Sequence, residues 1–170
     1  MLLNHKKFTV FALLALSGCG FTPLYGGPQG RQASAALENV QVQTIPDRPG
    51  QVLRQTLQED FYRNGQPVQA LYTLSVDYSI NQTGEGIQED SSTTRVRFDA
   101  MAHWRLAPIG QPSQTLISGN ARAMNALNII DQQYFAQSLE TQTINQQLAN
   151  EISAQITAQL MGWFRTHPGS

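Results

Sequence analysis

Two stretches of the chain alternate polar and apolar side chains with period two, over lengths that only a β-strand can use. From Ala70 to Ile80, Tyr72, Leu74, Val76, Tyr78 and Ile80 fall on one side, and Thr73, Ser75, Asp77 and Ser79 on the other. From Thr93 to Leu106, Thr94, Val96, Phe98, Ala100, Ala102, Trp104 and Leu106 share a face. Arg95, Arg97, Asp99, Met101, His103 and Arg105 share the opposite one. Such alternation specifies strands with one buried and one wet face, so the sheet they form is covered on one side only. Asn81 to Ser92, with Gly84, Gly86 and three acids, reads as the hairpin loop between them. Pro108 to Pro112 turns the chain into a further strand, Gln114 to Met124. There Thr115, Ile117, Ala121 and Ala123 alternate with Ser118, Asn120 and Arg122. Three consecutive strands with short connections predict an antiparallel meander.

The cover comes from segments with helical period. Between Gln51 and Asn64, Leu53, Leu57 and Phe61 recur at spacing four, with Val52 beside them; Arg54, Gln58, Glu59 and Arg63 fall on the wet side. Asn64-Gly65 with Pro67 beyond is a stop signal. Asp131 can cap a last helix running to about Arg165, whose stripe is Phe135, Leu139, Ile144, Leu148, Ile152, Ile156 and Leu160. At about 1.5 Å per residue that helix spans about 50 Å. It outruns the strands, so it either projects or breaks near Thr141-Gln142-Thr143. Leu37 to Ile45, with Val40 and Val42 on one face, is a first strand ended by Pro46-Asp47-Arg48-Pro49-Gly50. The predicted order is β-α-β-β-β-α. This is an α+β two-layer sandwich: a four-stranded, mainly antiparallel sheet with two helices on one face.

The amino-terminus has a different character. Lys6 and Lys7 precede an apolar run, Phe8 to Leu16, of nine residues. A membrane-spanning helix needs roughly 20, so the run suits a secretory signal and not a permanent anchor. Leu16-Ser17-Gly18-Cys19 closes it, and Cys19 is the only cysteine. A leucine, two small residues and a cysteine resemble the bacterial lipobox, in which cleavage falls between Gly18 and Cys19. The thiol then carries a diacylglycerol and the new amino group an acyl chain. One acyl chain holds a protein to a membrane only marginally, whereas two or more hold it firmly. By its resemblance to enterobacterial lipoprotein sorting, Gly20 in the second mature position implies the outer membrane over the inner one. Residues 1–18 are thus read as the signal peptide and 19–36 as a lipidated, glycine-containing tether. Residues 37–165 are read as the periplasmic domain and 166–170 as a short tail.

Directly after the cysteine, Cys19-Gly20-Phe21-Thr22-Pro23-Leu24-Tyr25-Gly26 reads C-G-F-x-P-L-Y-G. This resembles the mature amino-terminus of the LptE family of lipopolysaccharide-assembly lipoproteins, most closely its alphaproteobacterial branch. The resemblance implies two helices on a four-stranded sheet and a place as a plug inside the LptD β-barrel. It also implies help in assembling that barrel and contact with lipopolysaccharide through basic residues. Phe21, Leu24 and Tyr25 either meet the membrane interface or a partner, or cover the domain's own core.

Charge and composition restrict the function classes. After Cys19 the chain has nine arginines against 12 acids, a net charge of −3, which argues against general nucleic-acid binding and a polybasic membrane patch. No thiol is left once Cys19 is lipidated, so no disulfide is expected. No metal-ligand spacing, G-x-S-x-G or phosphate loop occurs, and no enzymatic activity, metal or cofactor is expected. Asp99 and His103 share a strand face but stand about 13 Å apart, too far for a catalytic pair. The binding candidates are Arg95, Arg97 and Arg105 on one strand face, with Arg122 from the next strand. Guanidinium groups pair bidentately with phosphate. Asp77 and Asp99 share their face and can neutralise them. The reading is an outer-membrane lipoprotein of lipopolysaccharide transport. Its alternative is an accessory lipoprotein of an ABC-type lipid transport system, and a third option is a free periplasmic ligand-binding lipoprotein.

Overall fold

The computed structural model describes residues 27–62, 65, 69–87, 93–128 and 134–168. The signal segment, Gly18, Cys19, Phe21, Leu24, Tyr25 and the capping candidate Asp131 lie outside these residues. The elements run α1 (Gly27–Glu38), β1 (Val40–Val42), α2 (Asp47–Phe61), β2 (Tyr72–Ile87), β3 (Thr93–Pro108), β4 (Ile117–Asn128) and α3 (Tyr134–Thr166).

The sheet order is β1-β2-β3-β4. β1 lies parallel to β2, and β2, β3 and β4 form the antiparallel meander. The alternation read from the sequence holds along the strands. Leu74, Val76, Phe98, Ala100, Ala102, Trp104 and Leu106 are buried, while Asp77, Ser79, Arg95, Met101, His103 and Arg105 are exposed. One face is therefore apolar and covered, and the other open, as an α+β two-layer sandwich requires. β1 is shorter than expected: only Val40 to Val42 pair, and Leu37 belongs to the preceding helix.

Two segments take a different type of structure from the one expected. Residues 27–36, the described part of the stretch expected to be a tether, belong to α1, so the domain has three helices and not two, the added one packed on the other two. Alanine, glutamine, arginine, leucine and glutamate are strong helix formers, and Pro28 sits in the first turn, where its missing N–H costs nothing. Gly30, Ala33 and Leu37 fall at helical spacing and are buried, so α1 is held by packing against α3. The second difference is the hairpin. Asn81 to Ile87 continues β2, in unbroken register with β3 as far as Ile87 opposite Thr93. The glycines there mark extended backbone, and cross-strand pairing outweighs their turn propensity.

α2 starts four residues earlier than expected, at Asp47, because Pro49 is tolerated in a first turn. Gly50 is required there: a Cβ would stand 2.7 Å from Ile45 Cγ2. Leu53, Leu57 and Phe61 form the buried stripe. α3 is a single helix of 33 residues and does not break at Thr141-Gln142-Thr143. Among the described side chains its buried stripe runs from Ile144 through Leu148, Ile152, Ile156 and Leu160 to Phe164, and Phe135 lies outside them. Leu139, expected in that stripe, is 65% exposed. Ser153 on α3 donates to the Asp60 carboxylate on α2, a polar link inside the helix layer. No helix among the described residues is long and apolar enough to cross a membrane.

Candidate functional site

The open sheet face is the surface on which the sequence placed its binding residues, and the strand register fixes where each stands. Glu85 on β2 is directly opposite Arg95 on β3, and Thr83 is opposite Arg97. Met101 is opposite Arg122 on β4, and Asp99 is opposite Met124. The face thus divides into two regions.

Toward the hairpin end, three of the four arginines are tied into one network. Glu85 accepts from Arg97 Nη1 and lies 3.9 Å from Arg95 Nε. Arg97 Nε donates to Asp99 Oδ2 at 2.9 Å, and Arg122 Nη2 donates to Asp99 Oδ1 at 3.0 Å. The hydrogen bond from Arg122, with the one from Arg97 and the charge of both guanidinium groups, holds the Asp99 carboxyl below the usual carboxylate range despite the opposing pull of desolvation. Three guanidinium groups against two carboxylates leave one positive charge on this patch. Asp99 neutralises arginines as its position suggested. Asp77 does not; the second acid is Glu85, from the segment read as loop. Two apolar side chains interrupt the polar surface here: Met101 is 39% exposed and Met124 55%.

Arg105 stands apart, about 27 Å along the strand from Arg97. It has no ion-pair partner among the described residues. It lines a shallow recess of about 640 Å³ together with Gln43, Ser75, Asp77, His103 and Asn120. Ser75 Oγ donates to Gln43 Oε1 at 2.9 Å, and His103 Nδ1 lies 2.7 Å from Asn120 Oδ1. His103 is thereby engaged with β4, and Asp99 with the arginines, so the two stay separate as their spacing indicated. The recess offers one guanidinium, one carboxylate and several neutral donors and acceptors. That set suits a polar, partly anionic surface. The arginine row read from the sequence is therefore two sites, one largely offset by Glu85 and Asp99 and one without an ion pair among the described residues.

The sequence did not disclose the role of the glutamines on α3. Gln155 Oε1 accepts from Arg122 N at 3.1 Å, and Gln155 Nε2 donates to Arg122 O at 2.8 Å. Gln159 Nε2 donates to Asn120 O at 3.0 Å. Asn125 bridges Gln147 and the Ala126 N–H. Residues 147, 155 and 159 share one helix face, and that four-residue spacing was the available signal. Trp104 closes the same edge: a Cβ at Gly119 would stand 2.7 Å from its Cζ2 and 2.6 Å from Gln159 Oε1.

No family model and no curated protein matches the sequence. Solved structures share the fold. A candidate lipoprotein from Caulobacter crescentus superposes with a TM-score of 0.64 at 20% identity, covering 81% of this chain and 98% of that one. Rare lipoprotein B from Shewanella oneidensis gives 0.54 at 11% identity, over 75% and 95% of the two chains. A minor lipoprotein from Acinetobacter baumannii gives 0.56 at 13% identity, over 72% and 88%. The architecture of this chain is thus similar to that of bacterial lipoproteins.

Proposed function

We propose that this protein is a non-enzymatic, lipid-anchored component of the outer-membrane machinery that transports lipopolysaccharide. It would sit as a plug in an LptD-type β-barrel and assist that barrel's assembly. The observation that carries the reading is a conjunction. The lipobox ending at Cys19 and the C-G-F-x-P-L-Y-G segment precede a domain whose fold is like that of rare lipoprotein B. In this reading, diacylglycerol and an N-acyl chain on Cys19 hold the protein at the membrane, since more than one chain anchors firmly. The polar sheet face meets the lumen of the barrel, which is polar in wide barrels.

The face suits an amphiphile that carries phosphate. Arg122 is flanked by the exposed Met101 and Met124, which places charge beside apolar surface. Arg105 adds a guanidinium without a carboxylate partner. Arg95, Arg97 and Arg122 are each engaged by Glu85 or Asp99, so they contribute less than the sequence suggests.

A mild-detergent pull-down of the mature lipoprotein from outer membranes tests the reading. A large β-barrel recovered in equal amount, and resistant to salt, is the expected result. Recovery of an inner-membrane permease instead would move the protein to an ABC-type lipid transport system. Within the barrel complex, Arg105→Glu is expected to weaken lipopolysaccharide binding more than Arg95→Glu.

A further inference from the structure

We infer that the free edge of β2, from Val76 to Gly86, is a docking site for an extended segment of a partner protein, which adds to the sheet as a fifth strand. Three observations lead there, and none depends on which machinery the protein serves.

The first is the unequal length of the neighbours. β2 has 16 residues, but β1 has three and pairs only with Tyr72 to Leu74. Gln43 N donates to Leu74 O, so even-numbered residues of β2 turn their backbone groups toward this edge. The register with β3 is unbroken, so the alternation continues through Val76, Tyr78, Ile80, Gln82, Gly84 and Gly86. Their edge-facing N–H and C=O groups make no hydrogen bond to another described residue. Lysine, proline and bulges, the usual devices that blunt an edge, are missing from Val76 to Ile87.

The second is a recess under that edge. Pro46, Pro49 and Gly50 of the α2 entry, with Tyr78, Ile80 and Asn145, line a cavity of about 300 Å³. The Tyr78 hydroxyl is buried without a hydrogen-bond partner. A guest residue opposite Tyr78 points its side chain to this covered face, and a threonine there brings both a methyl group and a hydroxyl.

The third is charge, which selects the guest. Asp77 is exposed and has no ion pair among the described residues, whereas Glu85 is engaged by Arg97. A guest arginine or lysine opposite Asp77 completes the pair. A second copy is disfavoured: antiparallel self-pairing of the whole edge about Asn81 sets Asp77 against Glu85, like charge against like.

The test uses the mature lipoprotein in detergent micelles and a capped synthetic peptide of alternating threonine and valine with one central arginine. Backbone amide exchange is read with and without peptide. Protection of the Val76, Tyr78, Ile80, Gln82 and Gly84 amides by tenfold or more is expected. The Asp77, Ser79, Asn81 and Thr83 amides, already in the β3 ladder, are expected to stay unchanged. Gln82→Pro removes an edge-facing N–H and leaves the β3 ladder intact, so it is expected to weaken peptide binding at least tenfold. Replacing the peptide's arginine by glutamate is expected to do the same. Three results would each overturn the inference. These are no protection at peptide concentrations up to the millimolar range, protection that grows with protein concentration alone, and equal binding by Gln82→Pro.

Discussion

The two long edges of this sheet are finished in opposite ways. β4 is closed by side chains: Gln155 takes both backbone groups of Arg122, Gln159 takes the carbonyl of Asn120, and Asn125 with Gln147 serves Ala126. β2 has a three-residue neighbour and, beyond it, no backbone hydrogen-bond partner on this edge among the described residues. Strand edges present unpaired donors and acceptors that invite foreign strands. One edge of the domain suppresses that invitation and the other leaves it standing. The difference teaches that an edge can be blocked without a strand, by amide side chains spaced to match the pleat. Four residues of helix advance about 6 Å, and two residues of strand about 6.8 Å, so Gln155 and Gln159 fall beside Arg122 and Asn120.

The sharpest way to break the closed edge is Gly119→Ala. The added Cβ meets the Trp104 ring at 2.7 Å and 2.9 Å as well as Gln159 Oε1. Trp104 is a buried core residue, so either the ring or β4 must move. Overpacking of this kind costs roughly 1–3 kcal/mol. Urea unfolding followed by tryptophan fluorescence should show a lower midpoint with little change in slope. Gln82→Ala, on the exposed part of the open edge, is the control and should stay within about 0.5 kcal/mol of the parent.

Gln155→Leu tests the same edge more gently. It removes two hydrogen bonds to Arg122, each worth about 0.5–1.5 kcal/mol net, and water restores part of that at an exposed site. A loss of about 1 kcal/mol is expected in the same urea titration. The more telling readout is association. With both edges open, sedimentation should show self-association that the parent lacks. An unchanged monomer would mean that α3 blocks the edge by bulk and not through its amides.

The contrast between the edges also marks what the sequence discloses. The faces of β2 and β3 were legible because period-two alternation maps directly onto burial, and Leu74, Phe98 and Trp104 are buried as read. α1 was not legible, because Gly26, Gly27, Pro28 and Gly30 carry the composition of a linker. Only the burial of Ala33 and Leu37 against α3 makes the segment a helix. The extension of β2 was hidden for a related reason: Gly84 and Gly86 signal a turn locally, and the pairing of Gly84 with Val96, Glu85 with Arg95 and Ile87 with Thr93 overrides them. The arginine row was legible as a face but not as a network, since Glu85 entered it only when the strand lengthened. Glutamine gives no sign of whether it faces water or a backbone, so the closed edge could not be seen from composition.

The smallest expected effect belongs to the open edge and concerns Tyr78. Burial pushes its hydroxyl pKa up from the ordinary value of 10.0 to about 12. A group whose pKa is raised on folding keeps its proton longer in the native state. Its contribution to stability is therefore complete below pH 10 and is lost as pH rises from 10 to 12. Thermal unfolding across that interval should show the parent losing stability, and Tyr78→Phe should flatten the part of the loss that belongs to this residue. At neutral pH the same substitution deletes a buried hydroxyl that has no partner. It should leave stability unchanged or raise it by a few tenths of a kcal/mol. If Tyr78→Phe instead destabilises the isolated protein by more than about 1 kcal/mol, the hydroxyl already has a partner. The recess below β2 would then be finished, and the two edges would be more alike than their backbones suggest.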